Sequence, residues 1–272
     1  MSIRLTRLPI YQVDAFADAV FTGNPAAIVP LDAWLTDEIM QKIAMENQLS
    51  ETAFFVRTES GFDLRWFTPV FEVDLCGHAT LAAAHVIFSE LGTAGEEIVF
   101  ETRSGVLKVE NVSGGYRMDC PVDEISVVSD DQVSSALGIS VVELYRGKDD
   151  FLAVVANEGE VRALTPDFRR LAELDARGVI VTARADAADN CDFVSRCFFP
   201  KYGIDEDPVT GSAHTTMAPY WSGELGRRKL RALQISLRGG QVGCEVVGSR
   251  VALSGSAVTF LRGEIEVPHT VS

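Results

Sequence analysis

The feature that most constrains this chain is an internal repeat. Arg65-Trp66-Phe67-Thr68-Pro69 and Arg196-Cys197-Phe198-Phe199-Pro200 both read R-x-F-x-P. Each is followed by a Gly that opens a small, apolar segment. The first is Gly77-His78-Ala79-Thr80-Leu81-Ala82-Ala83-Ala84-His85, the second Gly211-Ser212-Ala213-His214-Thr215-Thr216-Met217-Ala218. An R-x-G comes next in each half, Arg103-Ser104-Gly105 and Arg238-Gly239-Gly240. Arg65 to Arg196, Gly77 to Gly211 and Arg103 to Arg238 are offsets of 131, 134 and 135, so the order is kept with a small insertion. A fixed period of this kind marks a duplicated structural unit.

Local patterns fill in that unit. Residues 99–102 and 106–109 read as strands flanking a turn at Ser104-Gly105, and 233–237, 241–247 and 251–254 are similarly short. The segment opened by Gly77 is apolar nearly all round, so as a helix it must be covered by protein on every side. A sheet curled around a central helix does this. The expected fold is α+β: two pseudo-repeated halves, each a curled, mostly antiparallel sheet around one helix. The polar segment 123–131 reads as the link. The expected division is 1–123 and 124–272, with the last strand (about 257–267) able to pack on the N-terminal half. Amphipathic helices are expected over 37–48 and 167–175.

Composition narrows the partners. The 272 residues carry 39 acidic against 24 basic side chains, a formal charge of -15. Phosphate backbones and anionic membrane surfaces need clustered Lys and Arg, so neither is expected as a partner. No apolar run approaches about 18 residues, the length of a transmembrane helix, and no hydrophobic core of a signal peptide follows Arg4 and Arg7. The five cysteines show neither C-x-x-C nor zinc spacing, which fits reduced thiols in a cytoplasmic protein. No metal site is expected. P-loop, dinucleotide and nucleophile-elbow motifs are missing too, so no cofactor is expected.

Four places could carry chemistry. The two helix starts, at Gly77 and Gly211, each offer unpaired N–H groups and a partial positive charge. Facing one another they would hold a small anion; taken singly, such glycines also merely ease packing. Ile39, Ile43 and Glu46 share a helix face. A carboxylate buried there would have a raised pKa, as a general base needs, whereas one at the helix end is simply solvated. Asp207, before Pro208, lies close to the second helix start as base or cap. His78 at the first helix start should stay neutral and able to donate to a developing anion. Cys76 would be partly activated beside it, but Thr210 occupies the matching place in the other half. His85 and Cys120, Cys191, Cys197 and Cys244 read as structural.

Four stretches carry a family resemblance: Thr22-Gly23-Asn24-Pro25-Ala26-Ala27, Ala44-Met45-Glu46-Asn47-Gln48-Leu49-Ser50-Glu51-Thr52-Ala53, Asp74-Leu75-Cys76-Gly77-His78-Ala79-Thr80 and Glu206-Asp207-Pro208-Val209-Thr210-Gly211-Ser212-Ala213. In these the sequence resembles the PhzF-like (phenazine biosynthesis) family. The resemblance implies the diaminopimelate epimerase-like fold, with an active site in the cleft between two similar halves, and a homodimer. The best-understood family activity isomerises dihydro-hydroxyanthranilate without a cofactor, a Glu taking a proton from a ring carbon and helping return it elsewhere. By this resemblance Glu46 is the base, His78 and Asp207 assist, and Cys76, Gly77, Thr210, Gly211 and Ser212 line a small anionic substrate. Related epimerases use paired cysteines at the helix starts, from which Thr210 departs. A catalytically silent metabolite-binding or regulatory protein and a thiol-based racemase are the alternatives.

Overall fold

The computed structural model of the protein describes residues 5–186 and 190–268. Its elements, in chain order, are β1 (Leu5–Ala15), β2 (Asn24–Leu31), α1 (Asp37–Asn47), β3 (Glu51–Arg57), β4 (Phe62–Phe67), β5 (Glu72–Val73), α2 (Gly77–His85), β6 (Glu97–Thr102), β7 (Gly105–Val112) and β8 (Gly115–Pro121). They continue with β9 (Ser126–Val127), α3 (Asp131–Leu137), β10 (Glu143–Arg146), β11 (Asp150–Val154), α4 (Glu158–Ala163), α5 (Phe168–Glu173), β12 (Gly178–Arg184), β13 (Phe193–Phe199) and β14 (Ile204–Asp207). The last are α6 (Gly211–Leu225), β15 (Lys229–Gln234), β16 (Gly240–Val247), β17 (Arg250–Gly255) and β18 (Ala257–Pro268). Two compact units result, Met1–Met118 with Gly255–Ser272, and Asp119–Ser254. The fold is α+β and epimerase-like, built mainly of antiparallel strands.

In the first unit β18 runs antiparallel along the whole of β1, and β1 pairs with β2. The one parallel crossover between long neighbours, β2 to β3, passes through α1. Met40, Ile43 and Ala44 of α1 pack on Ala27, Val29, Phe54 and Phe67 of the sheet. The opposite side takes α2, which packs on β1, β2 and β3. Every residue of α2 from His78 to Ala84 is buried, as its all-round apolar sequence requires. Fully burying a side chain such as Leu81 contributes about 1.5–3 kcal/mol. The helix then runs through one π-helical turn, Val86–Glu90.

The second unit repeats the plan. Its parallel crossover, β11 to β12, carries α4 and α5. Leu137, Val161 and Leu171 from α3–α5 pack with Val179, Val181 and Phe198 of the sheet. Helix α6 packs on β15 and β16. Pro219 inside α6 removes one N–H from the helical ladder. The carbonyl four residues back, on Thr215, is taken instead by the Asp123 N–H at 3.3 Å, and Thr216 Oγ1 donates to Asp123 Oδ2 at 3.0 Å. The expected linker is thereby fastened to the helix.

Strand pairing locates the insertion implied by the unequal offsets. Trp66 pairs with Val73 and Phe67 with Glu72; in the second unit Cys197 pairs with Asp207. Pro69 precedes Glu72 by three residues, whereas Pro200 precedes Glu206 by six. The three extra residues lie where a 3-10 turn, Pro200–Tyr202, has been added. Both motif arginines do the same work across this difference. Arg65 donates to both oxygens of Glu72 (2.7 and 2.8 Å) and Arg196 to both of Glu206 (2.7 and 2.9 Å). Each guanidinium also sits over the motif Phe, 5.2 Å from Phe67 and 5.1 Å from Phe198.

The helices expected at 37–48 and 167–175 are α1, which ends at a left-handed Gln48, and α5, whose N-cap Asp167 accepts from Arg169 and Arg170. The strand expected at 233–237 departs from expectation. β15 starts earlier and ends at Gln234. There Ser236 Oγ donates to the Pro208 carbonyl and accepts from the Gly239 N–H, which turns the chain out and leaves Leu237 fully exposed. No helix among the described residues is long and apolar enough to cross a membrane.

Candidate functional site

The first unit gathers its polar groups around the start of α2. Cys76 is the N-cap residue, in an extended conformation, and its side chain does not cap the helix. His78, one residue into α2, is 5% exposed. Its Nε2 lies 3.2 Å from Glu51 Oε2, at the head of β3. Its Nδ1 lies 3.3 Å from the Asn24 amide nitrogen and 3.5 Å from Cys76 Sγ. Burial pushes the His78 pKa down to about 3, so the ring is neutral. Asn24 Nδ2 can only donate, so Nδ1 accepts and the ring proton sits on Nε2, the nitrogen beside Glu51.

Local sequence explains these positions. Gly23 turns the chain from β1 into β2 at φ +67, and a Cβ there would lie 2.2 Å from the Ala15 carbonyl oxygen. Only Gly permits this turn, and it delivers the fully buried Asn24 to His78. Glu51 is a charged head on an otherwise apolar strand, Thr52-Ala53-Phe54-Phe55-Val56. Its side chain is 13% exposed.

Glu46 lies elsewhere. It is exposed on the last turn of α1, whose buried face ends at Ala44. The spacing of Ile39, Ile43 and Glu46 was a correct helical reading, but the stripe stops one turn short of Glu46. The carboxylate brought to His78 is Glu51, five residues on in the same motif. Helical periodicity cannot find it, because the helix has ended and a strand begun. The available signal was a lone Glu opening an apolar strand.

The second unit has a corresponding helix start. Thr210 is the extended N-cap of α6, and its side chain does not cap the helix either. Asp207 is 7% exposed. Its Oδ2 accepts from Thr210 Oγ1 at 2.5 Å. The fully buried Gln234 binds this turn from below. Its Nε2 donates to the Asp207 carbonyl at 2.7 Å, and its Oε1 accepts from the Thr210 N–H at 2.9 Å. Ser212 Oγ lies 3.3 Å from Arg177 Nη2, and Arg177 is held in a bidentate pair by the buried Asp150. Neither Arg177 nor Gln234 was expected from the sequence as a site residue, although Gln234 opens the family-like stretch 234–240.

Gly77 and Gly211 open their helices as expected, so Cys76, Gly77 and His78 fall together in one unit, and Asp207, Thr210, Gly211 and Ser212 in the other. The expectation of no metal site was drawn from linear spacing. Glu51, Cys76 and His78 nevertheless place three possible donor atoms within 4.8 Å of one another. The other thiols lie apart from both helix starts or carry raised pKa values: burial pushes Cys120 up to about 11 and Cys197 and Cys244 well up. All five cysteines are thiols outside any disulfide. His85 is a structural residue, hydrogen-bonded to Tyr116 (3.0 Å) and Thr259 (2.8 Å).

Known proteins match nearly the whole chain. An uncharacterized isomerase of Pseudomonas aeruginosa is 50% identical over 96% of this chain and 99% of its own length. A phenazine biosynthesis protein of the PhzF family from Enterococcus faecalis has a solved structure that is 47% identical, with TM-score 0.91, over 96% of this chain and 99% of that one. A predicted epimerase of Pseudomonas aeruginosa, 20% identical with TM-score 0.73 over 96% and 99%, shares the fold. Residues 13–263 match the family described as phenazine biosynthesis-like protein, PhzC-PhzF. The chain belongs to that family.

Proposed function

We propose that this chain is an isomerase that moves a proton on a small carboxylate substrate by general acid–base catalysis, with no cofactor, and that Glu51 is the base. The isomerase class is supported by family membership and by curated relatives named isomerases. The observation that carries the rest is the contact between Glu51 and a buried, neutral His78. A carboxylate set beside a neutral imidazole in a largely desolvated position is placed to take a carbon-bound proton.

In this reading Glu51 takes a proton from a carbon conjugated with the substrate carboxylate. The C–H electron pair enters the conjugated system as an enolate-like anion. Protonated Glu51 then returns the proton at another carbon of the same system, so atoms and charge balance without an oxidant. The uncapped N–H groups at the start of α2 supply fixed dipoles for the developing charge. In the second unit the start of α6 gathers Asp207, Ser212 and Arg177.

The test has two steps. Small carboxylates are first screened by thermal shift; a ligand at a hundred times its dissociation constant stabilises the folded state by about 2.7 kcal/mol. Solvent-deuterium incorporation into the best binder is then measured. Glu51→Gln should lose about 100- to 10,000-fold in exchange, the usual worth of general acid–base catalysis. Glu46→Gln should stay within about 2-fold. Full exchange in Glu51→Gln would remove the base assignment, and loss in Glu46→Gln alone would restore the motif's other glutamate.

A further inference from the structure

We propose that Gln234 is a positioning residue that fixes the Asp207 carboxylate for the proposed proton transfer, a role that rests on that reading and adds Asp207 to it. Gln234 is fully buried at the end of β15, and Asp207 and Thr210 are each 7% exposed. Gln234 Nε2 donates to the Asp207 carbonyl at 2.7 Å and to Thr210 Oγ1 at 3.2 Å, and its Oε1 accepts from the Thr210 N–H at 2.9 Å. Both amide hydrogens and the amide oxygen are thus spent within the single turn 207–210. Two of these partners are backbone groups, and they settle which way the amide faces. A carbonyl only accepts and an N–H only donates, so amide oxygen and nitrogen cannot be exchanged. The second hydrogen on Nε2 enters Thr210 Oγ1, which leaves the hydroxyl's own hydrogen for Asp207 Oδ2, 2.5 Å away. Direction passes from backbone to amide, from amide to hydroxyl and from hydroxyl to carboxylate.

The repeat separates this relay from the shared architecture. Both units tie the carbonyl two residues before the N-cap to a serine hydroxyl: Ser104 Oγ donates to Asp74 and Ser236 Oγ to Pro208, each at 2.7 Å. The amide is different. Phe62 pairs with Phe100 and the equivalent Phe193 with Ala232, so strand register puts Thr102 where the second unit has Gln234. Thr102 donates to the Gly105 carbonyl within its own turn. The same register puts Val73 where the second unit has Asp207. The amide therefore accompanies the carboxylate and is missing, with it, from the first unit. Burying a carboxylate is costly, and bonds that hold it to one geometry are what an acid–base group needs in order to act.

The experiment measures solvent-deuterium exchange into the carboxylate with the largest thermal shift, separating kcat from KM, with unfolding temperatures to establish that each variant is folded. Gln234→Leu should lower kcat about 10- to 100-fold, the cost of a misplaced group, and leave KM within about 3-fold. Because it acts through Asp207, it should change kcat by less than about 2-fold in the Asp207→Asn background. Gln234→Glu supplies the rescue. Burial favours the protonated acid, whose O–H replaces the donor to the Asp207 carbonyl, so exchange is largely kept at low pH. As pH rises the new carboxyl ionises and loses that donor. kcat then falls along a limb absent from the native profile, without unfolding. Native kcat in Gln234→Leu, or equal losses with and without Asp207, overturns the positioning role and leaves the proton-transfer reading standing. If Gln234→Leu does not fold, the pH limb of Gln234→Glu decides in its place, and its absence overturns the role. If the native protein exchanges none of the carboxylates, the proton-transfer reading falls instead. The carbon-13 signal of the Asp207 carboxyl then decides the positioning alone: shifted in Gln234→Leu it supports the relay, and unshifted it overturns it.

Discussion

The two helix starts are copies of one design that now hold different chemistry. In both, Gly follows an extended N-cap whose side chain does not cap the helix. In both, a side chain four residues on is bonded to the N-cap carbonyl: Thr80 Oγ1 to Cys76 at 2.6 Å, and His214 Nδ1 to Thr210 at 2.7 Å. Around this shared scaffold the functional residues have traded places. Strand register puts Gly178 where the first unit has Glu51, since Thr52 pairs with Phe67 and Val179 with the equivalent Phe198. It puts Val73 where the second unit has Asp207. A Cβ on Gly178 would meet the Phe199 ring at 2.2 Å, so no carboxylate could stand there. Duplication preserved the backbone device, and substitution assigned each copy its own polar set.

That comparison can be broken most severely at the motif arginines. Both ion pairs are largely buried, so losing an arginine is costly, although Arg103 at 2.8 Å still reaches Glu72 when Arg65 is removed. Arg65→Met should cost about 3 kcal/mol in denaturant unfolding. Arg196→Met should cost more, by about 1 kcal/mol, because Arg196 also donates to the carbonyls of Val161 and Leu164 at the end of α4. A smaller cost for Arg196→Met than for Arg65→Met would mean that the Asp37 contact of Arg65 outweighs the α4 contacts of Arg196.

The next test concerns pH. Burial pushes the His214 pKa down to about 4, against a weaker upward pull from its bond to Thr210. Its Nε2 has no hydrogen-bond partner among the described residues. A depressed histidine is neutral when folded but takes a proton when unfolded, so its contribution is complete above about pH 6.5 and is lost as pH falls toward about 4. The slope is at most about 1.4 kcal/mol per pH unit. His214→Thr installs the residue used at the matching place in α2. It should lower stability at pH 7.5 but flatten the dependence between pH 6.5 and 4, measured by urea unfolding at several pH values. An unchanged slope would mean that His214 is not the titrating group.

The smallest effect is expected at Thr80. Thr80→Val keeps shape and removes one hydroxyl hydrogen bond, so it should cost about 1 kcal/mol in thermal or urea unfolding. A much larger loss would show that the N-cap carbonyl of Cys76 depends on this bond in a way that its α6 counterpart does not.

The duplication was legible because its landmarks are local: R-x-F-x-P, a Gly and an apolar helix keep their order along the chain. The all-round apolar composition of α2 likewise announced a helix covered on every side. Where reading by pattern faltered, the cause was a change of element or a tertiary bond. Leu237 continues an alternating pattern, yet Ser236 turns the chain away at Pro208. Glu46 continues a helical stripe, yet the helix ends at Asn47 and Glu51, on the next strand, reaches His78.

By itself, then, the sequence determined the family, the twofold repeat and the two glycine-led helix starts, because each is written in residues close together in the chain. Only the tertiary structure decided which carboxylate meets which imidazole. Glu51 and His78 are 27 residues apart, and Asn24 is 54 from His78; strand order and a single left-handed Gly23 bring them together. Their contact depends on packing across β2, β3 and α2, and no periodicity along one element encodes it.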